Sequence, residues 1–124
     1  AYEDFLATAD ASMAALGDLS RLSSMRPSDA AHASDAAYRM AAASAALGLG
    51  QVGLLADALA LSWRMRARAL ADARVSALSS RAGDAALTHG TDALRGALMR
   101  IAAGIPPLPL DHTIAALQEL IDSN

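Results

Sequence analysis

Three histidines, His32, His89 and His112, are the side chains here best suited to chemistry near neutral pH. Imidazole titrates in that range and serves as base, nucleophile or metal ligand. No two of them stand three or four residues apart, so no helix carries a local metal pair. Only two glutamates exist, Glu3 and Glu119, and no Glu-x-x-His carboxylate motif is present. Acid–base work would fall to aspartates, none of which has a suggestive neighbour in sequence. Ser44 and Ser62 lie within helical patterns, where a nucleophile elbow cannot form. These residues therefore read as surface or half-buried side chains, and a small-molecule enzyme with a pocket between helices is only a residual alternative. No cofactor or metal is called for.

Composition narrows the field further. Of 124 residues, 33 are Ala and 19 are Leu, both strong helix formers. Val, Ile and Thr are scarce, which argues against a β sandwich or barrel. With 54% hydrophobic residues the chain is too apolar for disorder. The formal net charge is −3, and the basic cluster Arg64, Arg66, Arg68 and Arg74 is outweighed by acidic residues elsewhere, so nucleic acid is not expected as a partner. All ten basic residues are Arg, which excludes a lysine Schiff base or a Walker-type phosphate loop. Cysteine is absent, so disulfides and thiolate chemistry are excluded, and a cytoplasmic setting is expected. No uncharged apolar run reaches the roughly 18 residues of a membrane span, and no signal-peptide pattern opens the chain. The start at Ala1 suggests a piece of something longer.

Periodicity supplies the elements. Phe5, Leu6, Met13, Leu16 and Leu19 recur at helical spacing in a first segment from about Glu3 to Leu22. Pro27 interrupts, and Ser28 suits the N-cap of a second helix from about Asp29 to Leu47. Its buried face should run through Met40, Ala43 or Ser44, and Leu47. Leu47-Gly48-Leu49-Gly50 is a glycine stop. A third helix starts near Gln51, with Val52, Leu55, Leu59 and either Ser62 or Trp63 on one face, and a break is expected between Ala71 and Ser80. Leu87, Leu94, Leu98 and Ile101 mark a fourth helix, about Asp84 to Ala103. After Gly104-Ile105-Pro106-Pro107-Leu108-Pro109, a short helix follows from an Asp111 cap to Ile121. The expected fold is all-α: an antiparallel four-helix bundle over residues 1–104, with a short extra C-terminal helix and its proline turn, 105–124, packed on it.

The stretch from Ala37 to Ala60, Ala-Tyr-Arg-Met, a run of small residues, Leu47-Gly48-Leu49, then Val52, Leu55, Ala56 and Leu59, resembles histidine-containing phosphotransfer domains, including those of CheA-type chemotaxis kinases. The resemblance covers about 24 residues directly and places Tyr38 where that family carries its phosphoacceptor His. Met40 takes the signature Leu, Ala41 replaces a Lys, Ala42 a Gly, and Ala60 a terminal Glu. A phenol, with an unperturbed pKa near 10, is a poor substitute for imidazole as a phosphoryl acceptor. The missing Lys removes a cation from beside the transferring group. The region from Leu98 through the proline turn to the last helix loosely resembles the degenerate phosphotransfer-like regions of the long twitching-motility kinases.

The resemblance implies a degenerate, bacterial two-component or chemotaxis-type interaction module. Such a module docks a response-regulator receiver domain, or a histidine kinase domain, without transferring phosphate. The docking patch would comprise Tyr38, Arg39, Ala41, Ala42 and Ala45, with Tyr38 at least partly exposed. Two alternatives remain. One is active phosphotransfer through His32, which lies six residues before Tyr38 and about 120° away around the helix. The other is a structural dimerisation bundle, since Ala-rich faces and an apolar last helix suit a homodimer.

Overall fold

The computed structural model describes residues 2–16, 25–73 and 80–123. Five helices occupy them: α1 (Tyr2–Leu16), α2 (Pro27–Ala46), α3 (Gly50–Ala71), α4 (Arg81–Ala102) and α5 (Asp111–Ser123). They form an all-α bundle, and no strand occurs among the described residues. Leu19, Leu22 and Arg74, assigned above to a helical pattern or to the basic cluster, lie outside the described residues.

The helix ends explain the boundaries. α2 begins at Pro27, two residues before the Asp29 start read from the sequence, and its N-cap is Arg26 rather than Ser28. Proline is well placed at the first helical position, where its missing N–H is not needed. Asp29 reaches back to accept the Arg26 backbone N–H at 3.1 Å. That hydrogen bond holds the Asp29 carboxyl below its ordinary value. The cap is therefore complete at neutral pH and weakens only as pH falls through the lowered pKa.

At its other end α2 closes with a Schellman motif: Gly48 takes φ +71°, Leu49 N–H donates to Ser44 O at 2.9 Å, and Gly48 N–H donates to Ala45 O at 3.0 Å. Gly104, with φ +76°, ends α4 in the same way through Ile105 N–H to Arg100 O at 2.8 Å. α3 stops at Ala71, inside the interval where a break was expected, with Ala73 in the left-handed region at φ 52°. α4 starts three residues earlier than Asp84 because Ser80 Oγ accepts the Gly83 N–H at 3.2 Å, so Gly83 lies inside the helix.

α2 and α3 run antiparallel through the short Leu47–Leu49 turn. Ser34 Oγ on α2 donates to Ala60 O on α3 at 2.7 Å, and near the turn Gly53 sits against Ala41 and Ser44. α1 is tied to α2 by Ser12 Oγ donating to Ala36 O at 3.1 Å. The first turn of α1 meets the end of α4 through Tyr2 Oη donating to Ile101 O at 3.0 Å. α4 packs antiparallel to α3, with Arg66 of α3 paired to Asp84 and Gly90 facing Leu59.

α3 is the central helix, touched by α2, α4 and α5, and its buried residues spread over most of its circumference. Val52, Leu55 and Leu59 are buried as expected, and both Ser62 and Trp63 are buried with them. α5 places Leu117 in the core, and Gln51 at the start of α3 fastens its first turn by accepting the Leu110 N–H and donating to Asp111 Oδ1.

At Gly90, α4 meets side chains of both α3 and α5. A Cβ there would stand 2.9 Å from Leu59 Cδ2 and 3.1 Å from Leu117 Cδ1, and both leucines are fully buried. Gly96, in the same helix, has open space instead. Ala has a helix-propensity advantage of about 1 kcal/mol over Gly. Gly96→Ala should therefore stabilise the bundle by about 0.5–1 kcal/mol. Gly90→Ala should destabilise it by about 1–2 kcal/mol, because overpacking outweighs the same propensity gain. Denaturant melts of the two variants check this, and a stabilised Gly90→Ala would show that the three-helix contact is loose.

Candidate functional site

The side chains singled out on α2 divide between surface and core. Tyr38 is 67% exposed although it sits in the middle of a 20-residue helix. Arg39, Ala42 and Ala45 are exposed as well. Ala41 is not: it is 6% exposed and lies against Gly53 of α3. The docking patch therefore loses one of its five expected members. The reason is that α2 is packed on two sides, by α1 and α3. Its buried face is wider than the stripe of Met40, Ala43 or Ser44, and Leu47, taking in Ala30, Ala33, Ala36, Ala37, Met40, Ala41 and Ser44. The position that the family resemblance assigns to a lysine thus faces the neighbouring helix.

Tyr38 does not stand on a flat helix surface. It borders an open groove of about 780 Å³ between α2 and α3. Ala31, Ala60, Ala67 and Ala71 give the groove a floor without long side chains, and Leu61, itself 42% exposed, rises beside it. Asp35 and Asp57 line the part next to Tyr38, while Arg64 and Arg68 line the part toward Pro27 and Ser28 at the start of α2. The groove is thus polarised along its length, acidic toward Tyr38 and basic at the other end.

The α3 members of this face, Asp57, Leu61, Arg64 and Arg68, were not identified as site residues from the sequence. A signal was available: with Leu54 they recur at spacings of three and four, which marks one helix face. The hydrophobic stripe of Val52, Leu55 and Leu59 on the opposite side of α3 is the stronger pattern in the sequence. The proposed basic cluster is also divided. Arg64 and Arg68 are exposed, whereas the Arg66 side chain is only 4% exposed and donates through Nη1 to Asp84 Oδ1 at 2.5 Å. Arg66 is a structural ion pair between α3 and α4.

The histidines are dispersed. His32 is exposed and opens into a different, smaller groove between α1 and α2, which it lines with Thr8, Asp35 and Arg39. It does not share the Tyr38 groove. His89 Nε2 lies 3.4 Å from Thr113 Oγ1 at the contact of α4 with α5, and His112 is on the surface. Among the described residues no three His, Asp or Glu side chains come together as a metal site. Among the same residues no helix is long and apolar enough to cross a membrane.

Comparison with known proteins leaves the residues to speak for themselves: no protein-family model, no curated protein and no solved structure matches the chain. The groove offers a small-residue floor with two projecting apolar side chains, Tyr38 and Leu61, bracketed by opposite charges.

A largely exposed position can be altered without touching the core. Tyr38→Ala should change the unfolding free energy by no more than about 0.5 kcal/mol, the range for surface substitutions. Met40→Ala, two residues on, on the opposite side of the helix and fully buried, should cost about 2–5 kcal/mol. Thermal or urea unfolding of the pair checks this, and a large loss for Tyr38→Ala would place that ring in the core.

Proposed function

We propose that this chain is a protein-docking module whose partner engages the α2–α3 face centred on Tyr38, and that the partner is a receiver domain of a two-component system. The observation that carries the reading is the large exposed ring of Tyr38 over the α2–α3 groove. Tyrosine is well suited to an interface, because it combines a large apolar ring and a polar tip with few rotatable bonds. Arg39, Ala42 and Ala45 extend the patch along α2, with Ala41 beneath it as part of the packing.

The receiver as partner rests on the resemblance to phosphotransfer domains. In that family the second helix presents the acceptor to the receiver and is followed by a Leu-Gly-Leu turn. Here the corresponding position is exposed, and the Leu47-Gly48-Leu49 turn is a helix stop leading into an antiparallel α3. With Tyr38 in place of imidazole and no Lys in the chain, the module docks without accepting phosphate. Histidine kinase domains, which carry related helical bundles, are the neighbouring choice of partner.

The test is a titration against the receiver domains of the same genome, unphosphorylated and beryllofluoride-loaded. Saturable binding is expected, and Tyr38→Ala should weaken it by about 1–3 kcal/mol, the cost of losing an aromatic hot spot. Incubation with a phosphorylated receiver should leave no acid-labile phosphate on the chain. Label appearing on His32 would replace this reading with active transfer. Binding that is indifferent to Tyr38→Ala would remove the α2–α3 face from the interaction.

A further inference from the structure

The exposed face of α3 carries a charge pattern that is complementary to itself. Leu54, Asp57, Leu61, Arg64 and Arg68 are all exposed and follow one another at spacings of three, four, three and four. They lie within about 80° of one another around the helix, on one face. Reading outward from Leu61, one direction meets Asp57 and then Leu54, and the other meets Arg64 and then Arg68. A two-fold axis perpendicular to α3 and passing over Leu61, between the copies, would set a second α3 antiparallel to the first. Leu61 then meets Leu61, Asp57 of each copy falls beside Arg64 of the other, and Leu54 lies under the aliphatic stem of Arg68. Self-complementarity under a two-fold is what an isologous dimer requires.

α2 obeys the same operation. The Ser34–Ala60 hydrogen bond and the Gly53 contact with Ala41 and Ser44 fix its register on α3. In that register Tyr38 is level with Asp57, and Ala31 is level with Arg64. The two-fold therefore carries the Tyr38 ring of one copy over the hollow bordered by Ala31 and Arg64 of the other. That hollow has a small-residue floor and a guanidinium at its edge, so the ring meets both apolar surface and a cation. Asp35 falls level with Leu61 and near its own copy across the axis. It is the one element of the face that opposes pairing.

We infer that the α2–α3 face pairs with a second copy of this chain, as an antiparallel two-fold dimer centred on Leu61. This rests on the reading of that face as a docking surface and adds a regulation to it. Tyr38 is covered in the dimer, so self-association and receiver docking exclude each other. The free concentration of the module then sets how much docking surface is available.

Charge reversal tests the pairing. Sedimentation equilibrium of the whole chain should show a concentration-dependent monomer–dimer exchange. Asp57→Arg and Arg64→Asp should each weaken dimerisation at least tenfold. The double variant, Asp57→Arg with Arg64→Asp, restores the pattern in mirror form and should return dimerisation to within a few-fold of the starting chain. Asp35→Asn should tighten it. All three positions are outside the core, and circular dichroism would verify that each variant is folded. A chain that stays monomeric at millimolar concentration, or a folded double variant that stays monomeric, overturns the dimer. Neither outcome touches receiver docking, which is read separately from the Tyr38→Ala titration. If a receiver binds equally well to dimer and monomer, the proposed exclusion is overturned while the dimer stands.

Discussion

Everything in this bundle depends on how closely α2 and α3 approach. Ala37, Ala41 and Ser44 on one side and Gly53, Ala56 and Ala60 on the other leave no long side chain at the seam. A helix whose contact face is built from methyl groups brings its backbone within reach of its neighbour's side chains. The Ser34 hydroxyl can then donate to a main-chain carbonyl of α3, and the Ser12 hydroxyl to one of α2. Such bonds between helices satisfy buried hydroxyls and fix the axial register, which alanine packing alone leaves weakly specified. Burial of an alanine stabilises little, since the hydrophobic effect follows the apolar area removed from water. The larger share of that area comes from Phe5, Met40, Leu55, Leu59, Trp63, Leu87, Leu94 and Leu117, all at or near complete burial. The small residues set the geometry and the large ones supply the cohesion.

The central position of α3 follows from that division. Close packing on α2 uses one side of α3, leaving Leu59 to face other neighbours. α4 and α5 cover it, and Gly90 is the point at which α4 yields room for Leu59 and Leu117 together. Arg66 enters the same contact as a buried cation, and Asp84 is its partner. Removing one member of a buried pair is generally far costlier than the pair's net contribution to stability. The pair therefore acts as a register pin between α3 and α4. Gln51 has the corresponding task at the α3–α5 contact, where it binds both the backbone and the side chain of the first turn of α5.

Much of this was legible in the sequence, and the limits have physical causes. Gly48 between two leucines announced the Schellman turn, and Val52, Leu55 and Leu59 announced the inner face of α3, because only glycine and a helical repeat of large apolar residues satisfy those conditions. The Ala-rich α2 was different. Alanine is at home both on a helix surface and in a tight seam, so nothing in its identity separates Ala41, which is buried, from Ala42 and Ala45, which are exposed. The Arg26 cap was hidden because Ser28 is the better capping residue by type, whereas Pro27 prefers the first helical turn and moves the boundary ahead of it. For the candidate site, the α2 half was visible through Tyr38. The α3 half was not, because an exposed stripe of mixed charge and leucine resembles any solvated helix face until its neighbour is known.

The same seam explains why the outer surface is a groove rather than a ridge. Two helices packed through alanines and glycines still diverge above the contact, and small residues at Ala31, Ala60, Ala67 and Ala71 leave that space unfilled. A floor of this kind has almost no side-chain entropy to lose when a partner settles on it. Tyr38 adds a large contact area with only two side-chain torsions to immobilise, so its ordering cost is small beside that of a lysine or methionine of similar reach. In the proposed docking, the charges at the two ends contribute chiefly to orientation, since exposed ion pairs add little net affinity but penalise a reversed partner. On that reading the face selects partners by the direction of a helix and by one aromatic contact. Both are properties of the α2–α3 hairpin as a unit, so the packing that stabilises the fold also shapes the surface it presents.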